Sequence, residues 1–468
     1  MKTGTAFVSV VLSLLATSPL TAGDPQSVTI RGERFEVWPV EDLVKRGFDV
    51  APVPRAENAA WVYLEAANTY VELPEALEDA FKYTVDATWP NGHAELEDYV
   101  KLPGNQRAIE LTCKAATMSG YQMPYSGDPR DSVLGMLLPS LSHMRFLAKL
   151  MIVDARRLEA QYQYDKAVNL YVSVMRMGAH AAQGVTLIEG LVGMAIWRTG
   201  ERAVSDMALR RPLSHRQLNT LLTEVNKLAP RLPTVDRGLQ GERSMGPAVV
   251  DELCSRPVRL LANLRFGAEA GDMPFVPEGF TANPEDGWSR LELRVGRLIY
   301  PDRAIKRHMR GYYDKVLEKA KKGPAKAAAM SFDEEQYIHE VIPQWDVLSR
   351  ILLPSLSRAV TIGERIKTEF AATRAVVAIR IYMLDHFGRL PATLHEVEET
   401  LPKDALIDPF SDDLLVYRPS DDGFLLYSVG PNLIDDGGQQ GQRWDQLDMV
   451  YKFPPEAVKP FEVQGDEE

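Results

Sequence analysis

The sequence predicts an α+β fold that is predominantly α-helical, with a helical-repeat-like bundle followed by a small domain of one helix and an antiparallel sheet. From Glu57 onward, apolar residues recur mainly at helical spacing. The segment from Met144 to Met177 has the spacing of a helical hairpin. The final part of the chain contains two short apolar runs that flank a turn, which is typical of a β-hairpin.

The chain has 468 residues, of which 45% are hydrophobic and 25% are charged, so it is globular and long enough for roughly two or three domains. Its 53 lysines and arginines against 65 aspartates and glutamates give a formal net charge of −12. A nucleic-acid partner requires clustered positive charge, so none is expected. We interpret the basic stretch from Lys315 to Lys326 as a solvated helix end rather than a binding patch.

The N-terminus has the form of a secretory signal peptide covering residues 1–22. Lys2 supplies the positive charge, Ala6 to Ala16 form an apolar run too short to span a bilayer, and Ala22 is a small residue at the expected cleavage point. The alternative, an ordinary buried first helix, is weakened by the breaks at Pro19 and Gly23. We therefore expect an exported protein, periplasmic or extracellular.

No further membrane span is expected once this segment is removed. The most apolar later run, Val185 to Trp197, is short and contains Glu189. Export would place Cys113 and Cys254 where disulfides persist, and two alternatives stay open for them, a bridge or two free thiols. The chain has no CxxC pair, so neither a zinc ribbon nor a thioredoxin-type site is indicated.

Residues 23–130 are predicted to form a mixed, mostly helical region. It opens with Val28 to Val37, whose alternation around Arg31-Gly32 predicts a small hairpin. A loop rich in Pro, Gly, Ser and Asp, from Tyr121 to Asp131, marks the boundary to the next region.

Residues 131–355 are predicted to form a helical domain similar to tetratricopeptide repeats. Its best pattern places small and aromatic residues where two antiparallel helices approach each other. These residues are Ala155, Leu158, Ala167, Tyr171 and Val174. The next predicted helix, Thr186 to Val204, contains Gly190 and Gly193, which indicate close packing against a neighbour. The alternative is an irregular all-α domain without a groove.

The sequence contains none of the standard catalytic signatures G-x-S-x-G, G-x-G-x-x-G and H-E-x-x-H, and no P-loop. The pairs His339-Glu340 and His395-Glu396 are adjacent residues that do not share a helix face, so surface or capping roles are expected. The paired acids Asp412-Asp413 and Asp421-Asp422 lie in predicted turns. A catalytic pair of carboxylates can still be assembled by the fold.

Residues 356–454 are predicted to form the helix-plus-sheet domain. Its long helix has one apolar face and ends at Gly388, and a capping-box pattern follows at Thr393 to Glu396. Asp408-Pro409-Phe410 predicts a turn. The two strands of a predicted hairpin and the turn between them are Leu414 to Tyr417, Phe424 to Val429 and Pro419 to Gly423.

The order of GRLPATLHEV, LIDPFSDDLLVYR and GFLLYSVGPNLIDDGG resembles the globular domain of the major pseudopilin of type II secretion, where a helix packs on a small antiparallel sheet. It is more specifically similar to uncharacterised exported bacterial proteins that end in such a domain behind a helical region. The resemblance implies a calcium ion held in the final loop, at Asn432, Asp435 and Asp436. An acidic tail, residues 455–468, closes the chain.

Two departures separate the chain from a pilus subunit. The matching helix is internal and carries four charged residues between positions 364 and 369, so it does not enter a membrane as a pseudopilin helix does. Asn432 stands where an acidic residue is common, which lowers the expected calcium affinity. The alternative is that Asp435 to Gly438 form only a turn at the end of a strand.

Two functions follow from these patterns. The first is a non-catalytic interaction or scaffold protein of the cell envelope that binds a protein or peptide partner, with the C-terminal module as a docking or stabilising domain. The second is an exported hydrolase whose acids or histidines come together only in the fold. The missing motifs favour the first. A deeply buried concave cluster of acids or histidines would favour the second, and an apolar or aromatic groove the first.

The signal peptide gives the first testable prediction. Because the small residue Ala22 precedes Gly23, mass spectrometry of the protein from its native source should find a mature N-terminus near Gly23. Recovery of an intact chain that begins at Met1 in the cytosol would contradict export.

Overall fold

The computed structural model describes residues 27–459 and residue 461, apart from 91–92, 128–132, 134–137, 256–301, 329, 331, 345, 347–348, 351–352 and 354. The predicted signal peptide and most of the acidic tail therefore lie outside the described residues. The described chain is mostly helical with small antiparallel sheets, which confirms the predicted fold class. None of its helices is long and apolar enough to cross a membrane.

The described helices fall into three groups along the chain. The N-terminal helices are α1 (Val40–Lys45), α2 (Ala59–Ala67), α3 (Glu78–Asp86), α4 (Ala94–Lys101) and α5 (Pro103–Ala116). The middle helices are α6 (Ser140–Ala160), α7 (Tyr164–Ala181), α8 (Leu187–Arg210), α9 (His215–Leu228), α10 (Asp236–Ser255), α11 (Asp302–Lys322), α12 (Pro324–Ala327) and α13 (Glu334–Glu340). The C-terminal helices are α14 (Ser357–Asp385) and α15 (His395–Glu398).

The N-terminal hairpin is formed as predicted. Strands β1 (Ser27–Ile30) and β2 (Glu33–Glu36) pair antiparallel. The two residues between them, Arg31 and Gly32, both have positive φ, at 52° and 86°. This conformation matches the right-handed twist of the two strands, so a two-residue turn joins them without splaying.

Three further strands build the C-terminal sheet in the order β5 (Val416–Ser420), β6 (Gly423–Ser428) and β7 (Met449–Phe453), and a short pair β3 (Ile407–Asp408) and β4 (Asp413–Leu414) precedes them. The predicted turn from Pro419 to Gly423 is wrong in its bounds, because Pro419 and Ser420 pair with β6 and only two residues remain between the strands. Proline is tolerated there because β5 is an edge strand. Strand β7 was not predicted.

Helices α6 and α7 form the predicted helical hairpin, and all five residues predicted to line it are buried. Helix α8 approaches α7 at glycines. A Cβ atom on Gly193 would lie 2.4 Å from the amide nitrogen of Ala182, and one on Gly178 would lie 2.4 Å from that of Trp197. Close packing is therefore confirmed for Gly193. The same prediction is wrong for Gly190, because a Cβ atom placed there would have no other atom within 4 Å.

Helix α14 packs on the middle helices α8 and α9 and also on strands β3 and β6. Its buried Phe370 meets the buried Trp197 of α8 with ring centroids 5.7 Å apart in an edge-to-face arrangement. A single hydrophobic core consequently runs through the middle and C-terminal regions. That residues 131–355 and 356–454 are separate domains stays a prediction.

Buried polar contacts attach the N-terminal region to α7 and α8. The hydroxyl of Tyr63 lies 2.9 Å from Nδ1 of His180, and burial lowers the pKa of His180 to about 4. The hydroxyl of Tyr125 donates to the carboxylate of Glu189 at 3.1 and 3.2 Å. Cys113 is a free thiol whose pKa is raised by burial, and the side chain of Cys254 lies outside the described residues.

Glu189 also completes the capping box that starts α8, where it accepts the backbone amide of Thr186 at 3.1 Å. Its side chain is fully buried, and burial raises its pKa from the ordinary 4.5 to about 7. Since the folded state favours the protonated form, this group contributes stability that is present below pH 4.5 and lost as the pH rises through 7.

We expect Glu189→Gln to remove this pH dependence, because glutamine has nearly the shape of the protonated acid. The free energy of unfolding of the variant, relative to the parent, should rise by up to about 3 kcal/mol between pH 4.5 and pH 8. Urea unfolding at several pH values measures it. Glu335→Gln, at an exposed position of α13, is the matched control and should show no such trend. If the free energy of unfolding changes with pH in the same way for Glu189→Gln and for the parent, Glu189 is not the group that causes this pH dependence.

Candidate functional site

The three predicted calcium ligands lie in the loop between β6 and β7, where protein groups contact each of them. Nδ2 of Asn432 donates to Oδ2 of Asp436 at 2.7 Å. Oδ1 of Asp435 accepts from the hydroxyl of Tyr427 and from the backbone amide of Gly437, both at 2.9 Å. The fold thus joins Asn432 to Asp436 and turns Asp435 toward β6.

A cation of the protein already lies beside Asp435. Nη2 of Arg418 is 3.8 Å from Oδ2 of Asp435, and Nη1 donates to the carbonyl of Gly437 at 3.2 Å. The amide of Gly437 is the main cause of the lowered pKa of Asp435, followed by the hydroxyl of Tyr427. Arg418 would compete with a metal ion for the same carboxylate.

Asp448 is the residue of this loop that the sequence did not reveal. It is 1% exposed and accepts the backbone amides of Gly438 at 2.7 Å and Asp436 at 3.3 Å. Burial is the main cause of its raised pKa, and the charges of Asp436 and Asp435 add to it. It stands ten residues beyond Gly438, just before an apolar strand, and no local spacing rule marks it.

Asp408 explains why the D-P-F and Y-S-V-G segments occur together. Its Oδ1 accepts the amide of Phe410 at 3.1 Å, and its Oδ2 accepts the amide of Val429 at 3.2 Å. Thr368 of α14 contacts the same carboxylate at 3.5 Å. This buried acid therefore ties the helix, the turn and the end of β6 together, and its role is structural.

The arrangement of the loop fits a turn better than a preformed calcium site. Calcium takes about six to eight oxygen ligands. Across the described part of the chain, no group of three or more His, Cys, Asp or Glu side chains is placed to hold a metal ion. Asp435 and Asp436 face different partners, and Asn432 presents its nitrogen to Asp436. Calcium binding stays a prediction.

Two acids, Glu201 and Glu369, lie between α8 and α14, where the fold could assemble a catalytic pair. Glu201 is 1% exposed, accepts from Nε1 of Trp197 at 2.8 Å, and has a pKa raised mainly by burial. Glu369 accepts both bonds from Nε of Arg198, at 2.8 and 2.9 Å, and another from Arg365 at 2.8 Å. These acids lie in a packed helix interface with partners of their own, which is the arrangement of a structural ion-pair network.

Histidines and acids also meet in an open groove of about 380 Å³ between α14 and α15. Tyr382 stacks on His386 with ring centroids 3.8 Å apart and donates to Glu396 at 2.5 Å. His395 pairs with Glu398 at 2.6 Å, and its side chain is 69% exposed. The other adjacent pair noted in the sequence, His339-Glu340 at the end of α13, does not line this groove. This groove is exposed, unlike the deeply buried concave cluster that would favour a hydrolase.

Another groove lies beside β1 and α2 and has a volume of about 810 Å³. Its apolar lining comes from both elements: Val28, Trp61, Val62 and Leu64. The guanidinium of Arg55 lies over the Trp61 ring at 4.6 Å, and Glu65 and Asn68 are exposed at the groove. An aromatic surface with a few polar groups is typical of a binding site.

Strand β1 presents a partly open edge to this groove. Because Ile30 pairs with Glu33 across a two-residue turn, Thr29 and Ser27 direct their backbone groups away from β2. The carbonyl of Thr29 accepts from Nδ2 of Asn68 at 3.0 Å. In the part of the chain that the structure describes, no other strand pairs with this edge.

Comparisons of the chain with profiles of known protein families, with curated proteins and with solved structures found no significant match.

The predicted calcium site can be tested by thermal unfolding with and without millimolar calcium. An ion that binds only the folded form stabilises it by about 2.7 kcal/mol at a hundredfold excess over its dissociation constant, so the melting temperature should rise. Asp436→Asn should abolish the rise without unfolding the protein. Asp422→Asn, in the exposed turn before β6, is the control and should keep it. If calcium leaves the melting temperature of the parent unchanged, the paired aspartates form only a turn.

Proposed function

We propose that the protein is an exported, non-catalytic interaction or scaffold protein of the cell envelope that binds an extended peptide segment of a partner protein. The groove beside β1 is the observation that carries this proposal. It combines a half-buried aromatic surface with a strand edge that no other described strand covers, and these are the two parts of peptide recognition by strand addition.

Backbone and side chain would have different roles in such a complex. The outward groups of Ser27 and the amide of Thr29 would pair with the backbone of the peptide, while the carbonyl of Thr29 keeps its hydrogen bond to Asn68. Such backbone pairing gives affinity with little dependence on sequence. Trp61 would pack against one apolar side chain of the peptide and set specificity. Arg55 and Glu65 would select polar side chains at the rim of the groove.

The pseudopilin-like C-terminal domain would serve as the stabilising or docking module of this scaffold. Its helix α14 is shared with the middle helices, so the module is attached rigidly to the rest of the core. The resemblance to an assembly subunit supports an envelope location, as does the predicted signal peptide.

The alternative of an exported hydrolase has weaker support. The deeply buried acids lie in packed interfaces, and the histidines at α15 are exposed. A hydrolase would need such groups around an accessible but water-poor cavity.

The proposal predicts that Trp61 is the centre of peptide binding. Phage-displayed extended peptides selected on the full mature protein should bind Trp61→Ala at least about tenfold more weakly, because truncation of a central aromatic anchor commonly costs about 1.4 kcal/mol or more. Isothermal titration with the selected peptides measures the change.

Trp444→Ala is the matched control, since Trp444 is also half-buried but lies in the C-terminal loop. The Trp444→Ala variant should bind the selected peptides with the same affinity as the parent protein. Circular dichroism must show that both variants are folded. Peptides that bind the Trp61 variant and the parent equally would exclude this groove as the binding site.

A further inference from the structure

A second concave surface is lined by positive side chains from three elements that are far apart in the sequence. Lys45 and Arg46 come from the end of α1, Arg243 from α10 and Arg310 from α11. Together with Ser244 they surround a cleft of about 490 Å³. We call it the basic cleft. Its concentration of positive charge contrasts with the formal net charge of −12 of the whole chain.

The one acid that lines the basic cleft, Asp251, is neutralised by a cation outside it. Nζ of Lys306 lies 2.5 Å from Oδ1 of Asp251 and also approaches Asp302 at 3.4 Å. The four cations of the cleft are therefore not balanced by the cleft's own lining. Positive side chains that line a surface raise the concentration of anions next to it.

Two of the cations have acidic neighbours that are partly exposed. Arg243 pairs with Asp314 at 2.7 Å, and Lys45 pairs with Asp42 at 2.9 Å. Exposed ion pairs of this kind contribute little stability, so both cations can turn to a ligand. Arg310 is exposed, and its side chain makes no hydrogen bond or ion pair with any described residue.

Arg46 is held in place by an aromatic ring. Its guanidinium lies over the ring of Trp38, 4.8 Å from the centroid, and Trp38 is only 2% exposed. A cation fixed on a buried ring loses little side-chain freedom when it binds a ligand. The cleft thus combines a guanidinium positioned by an aromatic ring with one whose side chain has no partner among the described residues.

We propose that the basic cleft binds the phosphate group of an organic phosphate. A phosphate monoester carries a charge of about −1.5 to −2 and three acceptor oxygens, which suits several converging cations better than a single carboxylate does. Planar guanidinium groups donate two parallel hydrogen bonds to phosphate oxygens. The cleft is larger than a bare phosphate ion, so it has room for the group that carries the phosphate.

The chemistry is the same whether the phosphate belongs to a soluble compound or to the headgroup of a phospholipid. The proposal is independent of the peptide groove, since the two surfaces have no lining residue in common. Failure of one proposal therefore leaves the other standing.

The first experiment uses pyrophosphate as the soluble probe and isothermal titration at low ionic strength with the full mature chain. Arg310→Glu should raise the dissociation constant by at least about tenfold, because it reverses the charge that faces the cleft. Arg202→Glu makes the same charge change at an exposed position of α8 and should leave the dissociation constant unchanged. Added salt should weaken the binding to the parent protein, since charges in an open cleft are screened.

The second experiment uses sedimentation with vesicles of phosphatidylglycerol and phosphatidylcholine, and with vesicles of phosphatidylcholine alone. Arg310-dependent binding to the first kind only would assign the cleft to anionic lipid headgroups. Arg310-dependent pyrophosphate binding without vesicle binding would assign it to a soluble organic phosphate. The proposal is overturned if neither probe binds, or if Arg310→Glu and Arg202→Glu bind each probe equally.

Discussion

The fold depends on the burial of one helix, α14, against two different partners. Its buried aromatic and aliphatic residues contact the middle helices through α8 and α9, and the short strands of the C-terminal region pack on the same helix. Neither partner alone would cover it. This shared burial is the reason that one hydrophobic core continues from the helical region into the sheet region.

Ionised groups are built into this interface and make its geometry specific. Glu369 of α14 is held between Arg198 and Arg365, and the guanidinium of Arg365 lies 4.2 Å from the centroid of the Trp444 ring in the last loop. Such ion pairs add little net stability, but loss of one partner would leave an uncompensated charge in a partly buried interface. The network therefore links the register of α8 and α14 to the position of the C-terminal loop.

Two buried aspartates organise the loops of the sheet. Asp408 accepts amides from the turn after β3 and from the end of β6, and Asp448 accepts amides from the loop before β7. The amides that Asp408 accepts are buried and those that Asp448 accepts are partly buried, so each carboxylate satisfies backbone donors that have little access to water. The same loops contain the glycines and acids that resemble a calcium loop. The hydrogen bonds accepted by Asp408 and Asp448 are enough to explain how these loops close. The two proposed binding surfaces lie elsewhere, and both draw on residues 27–68.

The sequence by itself determined the features that depend on neighbouring residues: the N-terminal hairpin around Arg31-Gly32, the α6–α7 hairpin, and the helix and hairpin of the C-terminal region. Periodicity and turn chemistry act over a few residues, so they can be read without the fold. The tertiary structure alone decided that Asp448 closes the loop before β7, that α14 is shared, and that Lys45, Arg243 and Arg310 face one cleft. Asp448 is ten positions from Gly438, whose amide it accepts, and Lys45 is 265 positions from Arg310. No local pattern connects them, because their proximity is created only when distant helices and strands pack together.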